Sequence, residues 1–267
     1  MAEPATPVLF VHGLWLHATS WGPWVELFRA EGYAPTAPGW PGTTDSIEEV
    51  RKQPERVAGR GVDEVVEHYA RIIRGLDARP ILIGHSFGGV IVQRLLGQNL
   101  GAAGVAIDAA PVKGVLLLPP SALRVASIAL RNPANRRRAI SLTAEQFRYG
   151  FGNAISAEES IELYRRWNVP SPARPLFEAA AANLSPRSPV RIDPRNDARG
   201  PLLLVAGGRD ATVPASITRA TRRLYRRSTA VTDYHEFPDR GHSLVIDSGW
   251  REVADTTLRW LGGNVFR

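Results

Sequence analysis

The chain is predicted to fold as an α/β domain, a doubly wound, mainly parallel sheet of about six strands with one inserted helical segment. Three observations predict it. Short apolar runs alternate with helical patterns. One interval of more than ninety residues breaks that alternation. And one apolar run stops at the pentad Gly84-His85-Ser86-Phe87-Gly88, after which a second apolar stretch begins at once.

In chain order, residues 7–11 read PVLFV and end at His12-Gly13. Residues 33–37 form a weaker strand, closed by Pro38-Gly39-Trp40-Pro41-Gly42. Between about 62 and 76, Val62, Val65, Val66, Tyr69, Ile72, Ile73 and Leu76 recur every three or four residues, opposite Glu64, Glu67, Arg71 and Arg74. That is the period of an amphipathic helix. The run before Gly84 is a buried strand, and residues 104–107, 202–206 and 231–237 complete the set of six. No convincing strand lies between 107 and 202. Thr143-Ala144-Glu145-Gln146 and Ser156-Ala157-Glu158-Glu159 have the form of capping boxes there. Pro119-Pro120 and the Pro- and Arg-rich stretch 186–201 bound the interval. The division expected is a core of 1–118 with 199–267, and a helical cap of 119–198 over the carboxyl ends of the strands.

With 267 residues, 44% hydrophobic and 22% charged, the chain has an ordinary globular balance. No apolar run reaches the roughly 20 residues that span a bilayer, and the N-terminal residues lack the form of a signal peptide. The absence of Cys excludes disulfides and a thiol nucleophile and accords with a cytoplasmic setting. The net charge of +7 is almost all arginine, notably Arg136-Arg137-Arg138 and the group Arg219, Arg222, Arg223, Arg226 and Arg227. No nucleic-acid motif accompanies either cluster. Both read as solvated faces, with no nucleic-acid partner expected.

The pentad is the sequence form of a strand, a sharp turn and a helix, with a serine at the apex. It lifts the Ser86 hydroxyl out of the sheet and aims the Phe87 amide at whatever the hydroxyl attacks. A serine needs a base, and the base needs an acid to fix its tautomer. Of six histidines only His242, in Asp239-Arg240-Gly241-His242-Ser243, combines a loop with a position just past the last strand. His85 adjoins the serine, His68 falls on the polar side of its helix, and His235 lies within a strand. Two acids sit on the correct rim: Asp210 after the fifth strand and Asp108 after the fourth.

These segments together resemble the α/β-hydrolase fold superfamily over nearly the whole chain. The order Ser86, Asp210, His242 is that family's nucleophile–acid–base order. Gly-Arg-Asp-x-x-Val-Pro and Gly-His-Ser are similar to its acid and base segments, which favours Asp210 and leaves Asp108 as the alternative acid. His12-Gly13-Leu14-Trp15 resembles its oxyanion segment, so the resemblance implies the Leu14 and Phe87 amides as the oxyanion hole. Only six residues precede Pro7, so the family's first two strands are expected to be missing. Trp15 and His17 are the expected substrate contacts. The aromatics Phe147, Tyr149, Phe151, Tyr164, Trp167 and Phe177 of the insert are the expected pocket or cap core.

The implied activity is hydrolysis of a small or medium apolar carboxylic ester or lactone through an acyl-enzyme. No cofactor is implied, and no metal, because the histidines are scattered in sequence. Two alternatives share the site: a non-hydrolytic or carbon–carbon-cleaving enzyme of this fold (hydroxynitrile lyase-like, perhydrolase or cofactor-free dioxygenase), and a hydrolase-like binding protein with little turnover.

Overall fold

The computed structural model describes residues 5–117 and 119–265. Residues 1–4, part of the segment read as no signal peptide, and the boundary residue Leu118 lie outside the described set. Six parallel strands form the sheet: β1 (Pro7–Val11), β2 (Ala34–Thr36), β3 (Ile81–His85), β4 (Ala103–Ile107), β7 (Leu202–Gly207) and β8 (Thr232–Phe237). Their spatial order is β2-β1-β3-β4-β7-β8. The chain therefore steps outward from β1 to β2, then returns past β1 and builds the other way. This reversal puts a topological switch point between the carboxyl ends of β1 and β3, where open α/β sheets bind ligands.

Both faces of the sheet are covered, which is why the inner strands β1, β3, β4 and β7 are almost continuously apolar, while the edge strands β2 and β8 are not. Val8 and Phe10 of β1 point to one side and pack with α1 (Gly22–Ala30) and α10 (Trp250–Asn264) through Trp24, Phe28, Val253 and Leu261. Leu9 and Val11 point to the other, toward α3 (Val62–Arg74), α4 (Phe87–Gly97) and α9 (Ala215–Tyr225). Helix α3 ends at Gly75, slightly before the end its periodicity suggests. On α9 the buried face is Ile217, Thr218, Thr221 and Tyr225, while Arg219, Arg222 and Arg223 are exposed. Helix α2 (Ile47–Lys52) lies in the β2–α3 connection.

Between β4 and β7 come α5 (Pro120–Leu130), α6 (Ala144–Gly150), α7 (Ala157–Trp167) and α8 (Arg174–Ala180). Contrary to the sequence reading, this interval is not free of strands. The two-residue strands β5 (Ala139–Ile140) and β6 (Ser171–Pro172) pair antiparallel, too short to leave a periodic signature. Thr143 and Gln146 form a complete capping box. At Ser156 only half of one forms: its hydroxyl accepts from the Glu159 amide, and the Glu159 carboxylate turns away to accept from the Ser248 amide at 2.6 Å. Ala179 belongs to α8, but Ala182 falls in a separate 3-10 turn. Among the described residues no helix is long and apolar enough to cross a membrane.

Candidate active site

Strand β3 ends at His85 and α4 begins at Phe87, leaving Ser86 alone to turn the chain. It does so at φ 57°, ψ −122°, a conformation that costs a non-glycine residue about 1–3 kcal/mol. Three bonds hold it there. The Ser86 amide donates to the Ile107 carbonyl at 2.9 Å, and its own carbonyl accepts from Gly89 at 3.0 Å and Ala110 at 3.1 Å. Trp15 (φ 65°) and Asp108 (φ 43°) are strained as well. Of the four such non-glycine residues among those described, three therefore lie on this one rim. The loop after β1 comes so near that a Cβ on Gly13 would stand 2.6 Å from the Ser86 Cβ. A Cβ on Gly88 would overlap the Val11 carbonyl. The Phe87 amide opens α4 and so has no intrahelical acceptor.

His242 is fully buried, and its Nδ1–H donates to Asp210 Oδ2 at 2.6 Å. Asp210 Oδ1 accepts from the amides of Thr212 (2.7 Å) and Val213 (2.8 Å), so both oxygens are held. With the proton on Nδ1, Nε2 carries a bare lone pair, and it is buried with no hydrogen-bond partner. Asp108 stands back. Its Oδ2 is 3.9 Å from His242 Nδ1, while Oδ1 accepts from the Gly207 amide at 2.7 Å. Burial, then the neighbouring charge of Asp210, pushes the Asp108 carboxyl well above the usual range. A neutral Asp108 beside an Asp210 anchored by two amides explains how two carboxyls share this site.

Reading the sequence missed the supports. His85 donates from Nε2 to the His242 carbonyl at 3.0 Å, and the two rings stand 4.5 Å apart. Burial pushes His85 well below the usual histidine range, so the ring is neutral. The end of α6 braces both loops: the Phe151 ring packs edge-on against His242 at 4.7 Å, and Gly150 O accepts from the Thr212 hydroxyl at 2.8 Å. Ser171 Oγ accepts from the Trp15 amide at 2.6 Å, and Val169 N donates to Trp15 O. Nothing in composition or periodicity marks these residues. His85, Asp108 and His242 also bring donor atoms within 4.8 Å of one another, which corrects the expectation of scattered histidines. His85 Nε2 and His242 Nδ1 are both committed to hydrogen bonds, so the group reads as a hydrogen-bonded network.

A cavity of about 360 Å³ opens above Ser86 and is lined by Leu14, Trp15, Ser86 and Phe87 from the rim. The rest of its wall is mainly aliphatic, with Val112, Val125, Leu130, Leu176, Val213 and Ile217 among the side chains and Asn183 and Thr212 the polar ones. Two groups of residues considered for the pocket lie elsewhere. His17 does not line the cavity: its Nδ1 accepts from the Thr19 amide and its Nε2–H donates to Thr44 O at 2.8 Å, fixing the start of a 3-10 turn. The aromatics of the insert do not line it either. Phe147 and Phe151 stack at 4.8 Å, and Phe147 meets Tyr164 at 5.7 Å, forming the core of the insert. His68 is half-buried and donates to Gly39 O at 3.1 Å, so it is more than a surface residue.

A model of the alpha/beta hydrolase family matches residues 8–256, and the chain belongs to that family. No curated protein matches it significantly. The monoacylglycerol lipase of Paleococcus ferrophilus is similar over 97% of this chain and 96% of its own, at 22% identity and a TM-score of 0.67. An extracellular α/β-hydrolase from a Paenibacillus species covers 95% and 98%, at 20% identity and a TM-score of 0.69. A methylesterase from Arabidopsis covers 97% and 99%, at 16% identity and a TM-score of 0.63. At these identities the likeness is one of fold.

Proposed function

We propose that the protein is a serine hydrolase that cleaves a small or medium apolar carboxylic ester or lactone, with Ser86 as nucleophile, His242 as base and Asp210 as acid. The observation that carries this reading is the buried Asp210–His242 pair at 2.6 Å, with the His242 Nε2 lone pair unused on the same rim as a strained, cavity-lining Ser86. Ser86 Oγ bonds to the substrate carbonyl carbon while its proton passes to His242 Nε2. The developing oxyanion sits on the amides of Phe87 and Leu14, each worth about 3 kcal/mol. The same proton then moves to the departing alkoxide as the carbon–oxygen bond breaks. Water repeats the sequence on the acyl-enzyme and releases the acid. Asp210 stays ionised and stabilises the imidazolium. No step calls on a metal or organic cofactor.

The segment 119–198 acts in this reading as a cap whose aliphatic wall selects the substrate, with Trp15 at the reacting end. The cytoplasm is the setting that the Cys-free composition favours. A fluorophosphonate probe, followed by p-nitrophenyl esters of increasing chain length on wild type and Ser86→Ala, tests the reading. Labelling confined to Ser86, with turnover lost in the variant, is the expected result. An unlabelled Ser86, or ester turnover that survives its removal, would overturn it.

A further inference from the structure

The mouth of the cavity presents its apolar side chains to water. Five large hydrophobic residues are exposed among those described, and four of them, Leu116 (76%), Leu184 (87%), Leu117 and Leu123, line this single opening. Hydrogen bonds join the loops that bear most of them. Lys113 Nζ donates to Ala182 O and Ser185 O, Gly114 N donates to Asn183 Oδ1 at 2.8 Å, and Asn183 Nδ2 donates to Val115 O at 2.9 Å. The loops bearing Leu116 and Leu184 are thus tied to each other. Scattered surface leucines need no explanation, but a contiguous group rimming a cavity does.

The chain segment that carries Leu116, Leu117 and Leu123 has charge of one sign. From 109 to 144 the chain contains Lys113, Arg124, Arg131, Arg136, Arg137 and Arg138, and neither Asp nor Glu. Arg124 and Arg131 are seven residues apart along α5 and its end, hence on one helix face, each one residue on from the lining residues Leu123 and Leu130. Arg187 is exposed three residues from Leu184. None of these arginines has a carboxylate partner among the described residues.

From this juxtaposition we propose that the cap mouth docks on an anionic lipid surface, with the leucines inserted among acyl chains and the arginines on the headgroups, so that apolar substrate enters the cavity from the lipid phase. The pairing of apolar insertion with flanking cations is what interfacial binding requires. A second copy of the chain is a poor occupant, because a two-fold contact would set these cations against themselves. Nucleic acid is a poor one too, because it offers nothing to the leucines. The docking stands independently of the hydrolytic reading; only the route of the substrate rests on it.

Co-sedimentation with phosphatidylcholine vesicles, with and without phosphatidylglycerol, tests the proposal, using wild type and Ser86→Ala alike. Binding is expected only to the anionic vesicles, equally for both proteins. Arg124→Gln, Arg131→Gln and Arg187→Gln should each weaken it about fivefold, and should leave turnover of a soluble short-chain ester within about twofold. The double variant Leu116→Asp/Leu184→Asp, checked for folding by circular dichroism, should lose binding more than tenfold. Three results overturn the proposal: no preference for anionic vesicles, arginine-dependent binding indifferent to the leucine variant, or a dimer in sedimentation velocity that the leucine variant disperses. A wild type that binds vesicles without turning over esters would instead count against the hydrolase reading alone.

Discussion

The carboxyl rim of the sheet and the wall of the cavity stand side by side, yet they are built by opposite means. On the rim the acid, the base and the oxyanion turn are each oriented by other residues: Asp210 by two amides, His242 by Asp210 and His85, Trp15 by Ser171. Three residues are held there with positive φ, and Gly13 approaches Ser86 too closely to admit a methyl group. The aliphatic part of the cavity wall has no such demands. Its aliphatic side chains from α5, α8 and the loop after β4 need only be apolar and of suitable size. The rim should therefore fail abruptly on small changes, and the wall should retune gradually.

The sharpest test of that contrast is the pair of acids. Asp210→Asn removes the charge that stabilises the imidazolium and disturbs the tautomer, so kcat/KM should fall by about 10³–10⁴. Asp108→Asn keeps an oxygen for the Gly207 amide and imitates the neutral acid, so activity should stay within about tenfold. Stability separates them further. The native state holds the Asp108 proton above the pH at which the unfolded chain releases it. Stability therefore falls as pH rises above the unfolded carboxylate value and through the raised native one, and the asparagine variant should lack that fall. Chemical denaturation across pH measures this. Equal loss of activity in the two variants would mean that the rim does not distinguish its acids.

Gly13→Ala comes next in size. The added methyl group would press on the Ser86 Cβ and the His85 carbonyl, displacing the Leu14 amide or the serine. A fall of about 10²–10³ in kcat, with little change in KM, is expected if one oxyanion donor moves. Steady-state kinetics with a single soluble ester decides it, and unchanged kcat would remove Leu14 from the site.

What the sequence made legible follows the same division. Strands β1, β3, β4 and β7 announce themselves because burial on both faces makes them almost continuously apolar, and the Ser86 turn because the residues two places to either side, Gly84 and Gly88, have no room for a side chain. His242 stands out because it follows the last strand in a loop, whereas Asp210 and Asp108 both follow strand ends and only the family resemblance favours Asp210. His85, Ser171 and Phe151 could not be placed: each acts across the fold, on residues 157, 156 and 91 positions away along the chain respectively, and no local pattern records such a contact. His17 shows the converse case. It lies close in sequence to the oxyanion turn, but its ring is satisfied locally by Thr19 and Thr44.

Acid should loosen the rim before it reaches the rest of the core. His12 is buried, with Nδ1–H donating to Gly13 O at 2.8 Å and Nε2 accepting from the Trp40 amide at 3.3 Å. Burial lowers it from 6.5 to about 4. Below the unfolded value the unfolded chain gains a proton that the native state refuses, so stability drops as pH falls from 6.5 toward 4. The loss from this group alone reaches about 3 kcal/mol at most. Burial lowers His17 and His85 too, in the same direction. His12→Asn should be less stable at pH 7 and should lose less between pH 6.5 and 4. A variant with an unchanged acid slope would show that His12 is not the titrating group.

The wall offers the smallest and most graded effect. Ala179 lines the cavity from α8. A phenylalanine there fills part of the space that a longer acyl chain would occupy, without reaching the Asp210–His242 pair. A pocket contact of one or a few methylenes is worth about 1–3 kcal/mol. The ratio of kcat/KM for a long-chain over a short-chain p-nitrophenyl ester should therefore drop about ten- to a hundredfold in Ala179→Phe. If both esters suffer equally, the added ring has disturbed the rim, and the cavity wall is no independent gauge of chain length. If only the long chain suffers, the wall measures substrate while the rim performs the chemistry, and the two can be altered separately.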